Sequence, residues 1–350
     1  MDLSQLLQNA IDKQASDLHI IPGYFPSLRI NGELYQLKTY SLVTPENSQA
    51  MIMSILNDQE KENLLANKEI DIGYEFNNNR FRVNIYFGKN NICASFRLIP
   101  IKIKTLEELL LPAELSKCSQ FNQGLVLITG PAGEGKTTTL ASIINDININ
   151  YAKHIVTIED PIEYVYSPAK SIVSQRQLHR DTHSWNIALR SALREDPDVI
   201  LVGEMRDYET IGLALTAAET GHLVFSTLHT ISTPDAVNRI IDVFPPNQQN
   251  QIRAQLSSVL KLVVTQKLLP RLDVVGRVPA VEILINTPAV SSLIREGKHH
   301  MMDNVLVTAE EEGFMFFEKY LLKLYTEGKI SKQTAFAYAI RPKELEKFIR

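Results

Sequence analysis

Eight consecutive residues, Gly130-Pro131-Ala132-Gly133-Glu134-Gly135-Lys136-Thr137, follow the pattern G-x-x-x-x-G-K-[ST]. Residues of these types at this spacing suit the cradling of nucleotide phosphates. The glycines let the backbone turn its N–H groups inward around phosphate oxygens, Lys136 supplies a point charge to the β- and γ-phosphates, and the Thr137 hydroxyl is a ligand for Mg²⁺. With Thr138 at the start of the following helix, these residues form the candidate nucleotide-binding set. A second group concerns what happens to the nucleotide. The run 198–204 is apolar and ends in Glu204, which places a carboxylate at a sheet edge, where ligands of open α/β sheets bind. Glu204 is the candidate base that orients and deprotonates an attacking water. In many phosphate-loop enzymes the residue before it is an aspartate serving the metal, whereas here it is Gly203. The source of that help is then Glu159-Asp160-Pro161-Ile162-Glu163, of which one or two carboxylates would hold metal-bound water. The plain alternative is a solvated acidic loop. His222 and His229 bracket one strand-like run and are candidates to sense the γ-phosphate. Metal ligation by them is the weaker option, since no third nitrogen or thiolate lies at metal spacing.

These side chains need a scaffold, and the pattern around them supplies one. The run 125–129 is β-branched and apolar, and 138–144 reads as a helix whose positive N-terminus would face the phosphates. Strands are expected at 124–130, 154–159, 198–203 and 222–227. They alternate with helical segments, which implies a parallel sheet covered on both faces. From Pro234 onward the pattern predicts a mostly helical chain, with Thr233-Pro234 as a helix start, Pro245-Pro246 as a break, and a last strand at 278–285. The first hundred residues differ. Short strand-like runs at 17–21, 27–30, 71–76, 80–87 and 92–98 are separated by turns, with hairpin signals at Asn31-Gly32 and Asn77-Asn78-Asn79. Helical patterns fall at 3–13 and 45–67. The expected organisation is an α+β domain over 1–100, a connector over 101–122, an ATPase core over 123–285 and a helical region over 286–350. Within the connector, Thr105 to Glu108 reads as a capping box and 111–118 has helix-forming character.

Composition narrows the class. At 350 residues, with 44% hydrophobic and 22% charged residues, the chain is an ordinary globular protein with room for two or three domains. No stretch approaches the ~20 apolar residues that span a bilayer, and the first residues carry no basic cluster, so a cytoplasmic location is expected. Cys93 and Cys118 are the only cysteines, too few for a disulfide framework or a cysteine zinc site. The net charge of −4 gives no overall basic field, so nucleic acid is not the expected partner.

Taken in order, the phosphate loop, the acidic box 157–164, the segment 192–207 and the histidine box 218–230 resemble the secretion ATPase superfamily that powers type IV pili and type II secretion. The resemblance extends to 15–19, 80–84, 175–182 and 293–298. It favours the pilus retraction branch, because the assembly and export branch typically carries a large extra N-terminal domain and a four-cysteine zinc insertion. Here only six residues, 272–277, stand where that insertion would be. The resemblance implies an N-terminal PAS-like α+β domain followed by a RecA-like P-loop ATPase domain with a helical C-terminal part. It further implies a homohexameric ring that hydrolyses ATP with Mg²⁺ and drives pilus retraction and twitching motility. The ring would sit on the cytoplasmic side of the inner membrane, against the pilus platform protein. It assigns Glu163 to supporting metal or water, His222 and His229 to reporting nucleotide state, and Arg82 and Arg97 to a neighbouring subunit's nucleotide. Arg194 and Arg206 stand where a relay between nucleotide and interface would run. The alternative for Arg82 and Arg97 is an ordinary strand-surface salt bridge. One departure is Ala289-Val290-Ser291-Ser292-Leu293-Ile294-Arg295-Glu296, where the retraction motif usually reads Ala-Ile-Arg-Asn-Leu-Ile-Arg-Glu. That keeps open an accessory paralogue working with another retraction ATPase, or a related secretion or DNA-uptake platform motor. A nucleic-acid motor would need a basic pore, and a non-hydrolysing assembly protein would not need Glu204.

Overall fold

The computed structural model describes residues 1–30, 32–99, 102–308 and 313–349. Asn31 of the first hairpin signal, Pro100 and Ile101 at the expected end of the first domain, and Arg350 lie outside the described residues. The chain divides into two compact units, Met1–Lys102 with Pro161–Val165, and Ile103–Asp160 with Tyr166–Arg350.

In the first unit, α1 (Leu3–Asp12) buries Leu3, Leu6, Leu7 and Ala10, the i, i+3, i+4, i+7 stripe of an amphipathic helix. Strands β1 (Asp17–Ile20), β2 (Ser27–Ile30) and β3 (Glu33–Gln36) follow. The single helical pattern expected over 45–67 is two helices, α2 (Pro45–Met53) and α3 (Asp58–Asn67). They separate because Asn57 and Glu60 form a reciprocal capping box that starts a new helix. Strands β4 (Glu69–Phe76), β5 (Asn79–Gly88) and β6 (Asn91–Ile99) form a meander. Its first turn, Asn77-Asn78, has both residues left-handed (φ 47° and 59°), as a two-residue hairpin requires. The sheet runs β3-β2-β1-β6-β5-β4, antiparallel throughout. Its core is apolar, with Phe81 and Phe96 edge to face at 6.4 Å.

The second unit opens with Thr105 and Glu108 exchanging backbone caps, which closes a turn, and a 3₁₀ segment Ala113–Gln120. It continues with β7 (Gly124–Thr129), α4 (Lys136–Asn150), β8 (His154–Glu159), β9 (Ile172–Gln177), α5 (Trp185–Ala192), β10 (Val199–Val202), α6 (Tyr208–Glu219) and β11 (Leu223–Leu228). Then come α7 (Thr233–Asp242), α8 (Pro246–Val259), β12 (Leu260–Pro270), β13 (Arg277–Ile285), α9 (Pro288–Arg295), α10 (Met302–Thr308), α11 (Phe317–Thr326), α12 (Lys332–Tyr338) and α13 (Pro342–Phe348). The strand order is β13-β12-β7-β11-β10-β8-β9, and every pairing is parallel except β12 with β13. Alternation along each strand feeds two cores. Leu125 and Leu127 pack with α5 to α8, while Val126 and Ile128 pack with α4 and the C-terminal helices. The fold is therefore mixed α/β, with an antiparallel N-terminal sheet and a covered parallel sheet. The expectation of a mostly helical chain after Pro234 is corrected: β12 is an eleven-residue strand beside β7. β9 was not anticipated either.

Candidate active site

The phosphate loop leaves β7 at the C-terminal edge of the parallel sheet and enters α4 at Lys136. Gly130 has φ +141°, and a Cβ there would come within 2.4 Å of the Gln266 carbonyl oxygen. Gly135, the residue before α4, is left-handed at φ +78° and faces the Gln266 side chain. No other residue type meets both demands at Gly130. The Lys136 ammonium is buried and donates to the carbonyls of Gly130 at 2.6 Å and Pro131 at 2.7 Å. Burial lowers its pKa, and the charges of Glu134 and Glu204 oppose that shift. Ala132, Gly133 and Thr137 are exposed along the loop, with Thr138 half-buried behind them. The first exposed N–H groups of α4 thus lie where a phosphate would sit.

Neighbouring strand β12 braces this loop, which the sequence did not reveal. The Gln266 side chain, 2% exposed, donates to the Glu134 carbonyl at 2.6 Å and accepts from Thr139 Oγ1 at 2.8 Å. The Leu268 amide donates to the Glu134 carboxylate, Arg277 Nη1 donates to the Gly133 carbonyl at 3.4 Å, and Thr129 and Thr265 share a hydroxyl bond of 2.8 Å. The signal that could have found Gln266 is a lone amide in the β-branched and leucine-rich segment 262–269.

Glu204 follows β10 on the same sheet edge. Its Oε1 lies 2.5 Å from Arg206 Nη2, and its Oε2 lies 3.4 Å from His229 Nε2. His229 follows β11, the strand between β10 and β7. The Gly203 carbonyl accepts from Thr227 Oγ1 at 2.6 Å, which ties the end of β10 to β11. A Cβ on Gly203 would meet the Ile158 carbonyl at 3.3 Å and the Trp185 ring at 3.4 Å, so an aspartate has no comfortable place there. Glu159 lies alongside, its Cα 3.6 Å from that Cβ position. Its carboxylate accepts from Thr157 Oγ1 at 2.6 Å and from Gln175 at 3.1 Å.

Of the other expected residues, His222 and Arg194 lie away from this edge of the sheet, and Glu163, Arg82 and Arg97 belong to the first unit. His222 sits at the opposite end of β11, with Nδ1 3.0 Å from the Ala217 carbonyl. A six-residue strand separates it from His229, about 20 Å at ~3.3 Å per residue. The two histidines therefore do not converge on one phosphate, and only His229 meets Glu204. Glu163 belongs to the first unit, where its Oε1 lies 3.3 Å from Arg82 Nη1. Arg82 also lies 3.7 Å from Asp71, and Arg97 pairs with Asp17 at 3.0 Å. Arg82 and Arg97 face each other across β5 and β6, two cations kept adjacent by carboxylates on either side. Arg194 is exposed in the segment leading into β10, on the edge away from Glu204.

No group of three or more His, Cys, Asp or Glu residues among the described residues could hold a metal ion. The exposed Thr137 hydroxyl at the start of α4 is an oxygen donor of the kind Mg²⁺ takes and is the residue that would hold it. Among the described residues no helix is long and apolar enough to cross a membrane.

Comparison with known proteins extends over most of the chain. The family described as type II/IV secretion system protein matches residues 1–313. The type IV pilus retraction ATPase PilT of Pseudomonas aeruginosa is 44% identical over 338 residues, covering 96% of this chain and 97% of that protein. The type IV pilus ATPase PilU of the same organism is 37% identical over 351 residues, covering 100% and 92%. A crystal structure of the pilus retraction motor PilT with bound ADP superposes with a TM-score of 0.93 at 42% identity, covering 99% of both chains.

Proposed function

The chain belongs to the family of type II/IV secretion system proteins, and within it we propose that it is an ATP-hydrolysing motor that retracts type IV pili. The observation that carries this reading is the placement of the phosphate loop after β7 and Glu204 after β10 on one edge of one parallel sheet, with only β11 between them. The two strand ends are then about 10 Å apart, twice the strand spacing. The loop amides and Lys136 bind the phosphates, and the Thr137 hydroxyl would hold Mg²⁺. When bound, Mg²⁺ offsets the negative charge that builds on the phosphate oxygens. Glu204 takes a proton from the attacking water as the water oxygen bonds to the γ-phosphorus and the bridge to ADP breaks. His229, on the second carboxylate oxygen, reports whether Glu204 is engaged.

The family resemblance supports a homohexameric ring on the cytoplasmic side of the inner membrane, working against the pilus platform protein. In that ring Arg82 and Arg97 serve a neighbouring copy's nucleotide, which requires their pairs with Glu163 and Asp17 to open. Glu163, once released, supports metal or water. The first hundred residues act as a domain distinct from the ATPase core.

A second reading rests on Ser291 and Ser292, which replace the usual Arg-Asn of the retraction motif. Ser291 Oγ donates to the Ser257 carbonyl at 2.9 Å and Ser292 Oγ to Glu296 at 3.0 Å, so neither offers a cation. This favours an accessory motor that assists another retraction ATPase.

Purified Glu204→Ala and Lys136→Ala should each hydrolyse ATP at least ~100-fold more slowly than wild type. Wild-type turnover in Glu204→Ala removes Glu204 from the role of base. In cells, deletion should leave pili present or in excess without twitching, and loss of piliation would overturn retraction. Twitching that fails only when a second retraction ATPase is also removed would assign the accessory role.

A further inference from the structure

We infer that Arg206 is a switch that distinguishes ATP from ADP by exchanging the Glu204 carboxylate for the γ-phosphate. The inference rests on Glu204 being the base. Glu204 is the sole ion-pair partner of Arg206 among the described residues, at 2.5 Å. The arginine side chain is 77% exposed while the carboxylate is 20% exposed, so the guanidinium is held by one contact and is otherwise in solvent. Such an exposed pair is weak. A terminal phosphate offers a guanidinium two parallel N–H···O bonds and more negative charge than a carboxylate, and is the stronger partner.

The fold brings the competitor within range. The Glu204 charge acts on Lys136 of the phosphate loop, and Arg206 lies four residues past β10, whose end is two strand spacings, about 10 Å, from the end of β7. His229 Nε2 lies 3.4 Å from the other carboxylate oxygen, so departure of Arg206 leaves Oε1 open to accept a proton from water. ADP lacks the group that draws Arg206 away. The base is therefore released when ATP is present and covered again once the γ-phosphate has gone.

The experiment is a double-mutant binding cycle on the full chain, with Mg²⁺, the non-hydrolysable β,γ-imido analogue of ATP, and ADP as the control ligand. Glu204→Ala removes the competitor, Arg206→Gln removes the switch, and the double variant removes both. The gain in analogue affinity from Glu204→Ala should be about 1.4- to 5-fold larger with Arg206 present than in the Arg206→Gln background, the factor an exposed ion pair is worth. Arg206→Gln alone should weaken the analogue and leave ADP affinity unchanged, which also reports an intact fold. Arg206→Lys, keeping the charge without the fork, serves if Arg206→Gln does not fold, and should fall between the two. Equal gains in both backgrounds, or equal weakening of analogue and ADP by Arg206→Gln, would overturn the inference. Failure of Glu204 as the base shows separately, as ATP hydrolysis retained by Glu204→Ala.

Discussion

Replacing Gln266 by leucine tests whether β12 sets the shape of the phosphate loop. The substitution nearly conserves volume but removes both side-chain hydrogen bonds, to the Glu134 carbonyl at 2.6 Å and from the Thr139 hydroxyl at 2.8 Å. A buried group left without its partner costs about 1–3 kcal/mol. Thr139 can recover part of this by turning its hydroxyl to the carbonyl one helical turn back, and the half-buried Glu134 carbonyl can take a water, so the sum stays at about 1–3 kcal/mol. If that cost falls on the loop's binding conformation, ATP and ADP affinity drop together by about 5- to 150-fold. If it falls on folding instead, Tm drops by roughly 2–4 °C per kcal/mol for a unit of this size while affinity is kept. Titration with a fluorescent nucleotide, alongside thermal melts, separates the two. We expect weakened binding of both nucleotides with a small change in Tm. Wild-type affinity in a folded Gln266→Leu protein would refute the idea that Gln266 shapes the loop.

Three further outcomes follow from the same geometry. Gly130→Ala sets a Cβ 2.4 Å from the Gln266 carbonyl at φ +141°, a conformation costing about 1–3 kcal/mol for alanine; nucleotide binding should weaken at least ~5-fold, and unchanged affinity and Tm would count against the close approach. Burial pushes the Cys118 thiol up to about 12 and also raises that of Cys93, so neither should react with a thiol reagent at pH 8 until denaturant is added; rapid labelling of native protein would contradict this. Glu318 is fully buried, and desolvation raises its carboxyl above the ordinary value of 4.5 despite the nearby Arg341. A raised carboxyl means that folding favours the protonated form, so stability is lost as pH climbs from the unfolded value through the folded one. Glu318→Gln keeps an oxygen to accept from the Ile340 and Arg341 amides. It should flatten that part of the Tm against pH curve without lowering Tm at pH 7, and a lower Tm there would show that the charge itself is needed.

What could be read from the sequence was local. Phosphate binding imposes short-range demands, a glycine pattern, a lysine and a hydroxyl within eight residues, and the flanking strand and helix carry their own periodicities. The parallel strands β7, β8, β10 and β11 were legible because each is a short apolar run between turns. β12 was not: the segment 260–269 carries Lys261, Thr265, Gln266 and Lys267 among its apolar residues and continues from α8 without a break, so it does not declare helix or strand by period alone. With β12 went Gln266, whose partner Thr139 lies 127 positions away. β9 is a partly exposed edge strand, with Ile172 73% exposed, so it lacks the buried signature of its neighbours. The histidines and the acidic box show the complementary failure. His222 and His229 look equivalent in sequence, yet a strand that ends at a site also begins about 20 Å from it, and only the residue at its C-terminal end meets Glu204. Glu159 and Glu163 are four positions apart, yet Glu159 ends a strand in one unit while Glu163 pairs with Arg82 in the other. A Cβ on Gly203 would be crowded by the Ile158 carbonyl at 3.3 Å and the Trp185 ring at 3.4 Å, and the carboxylate beside the end of β10 is Glu159, held by Thr157 and Gln175.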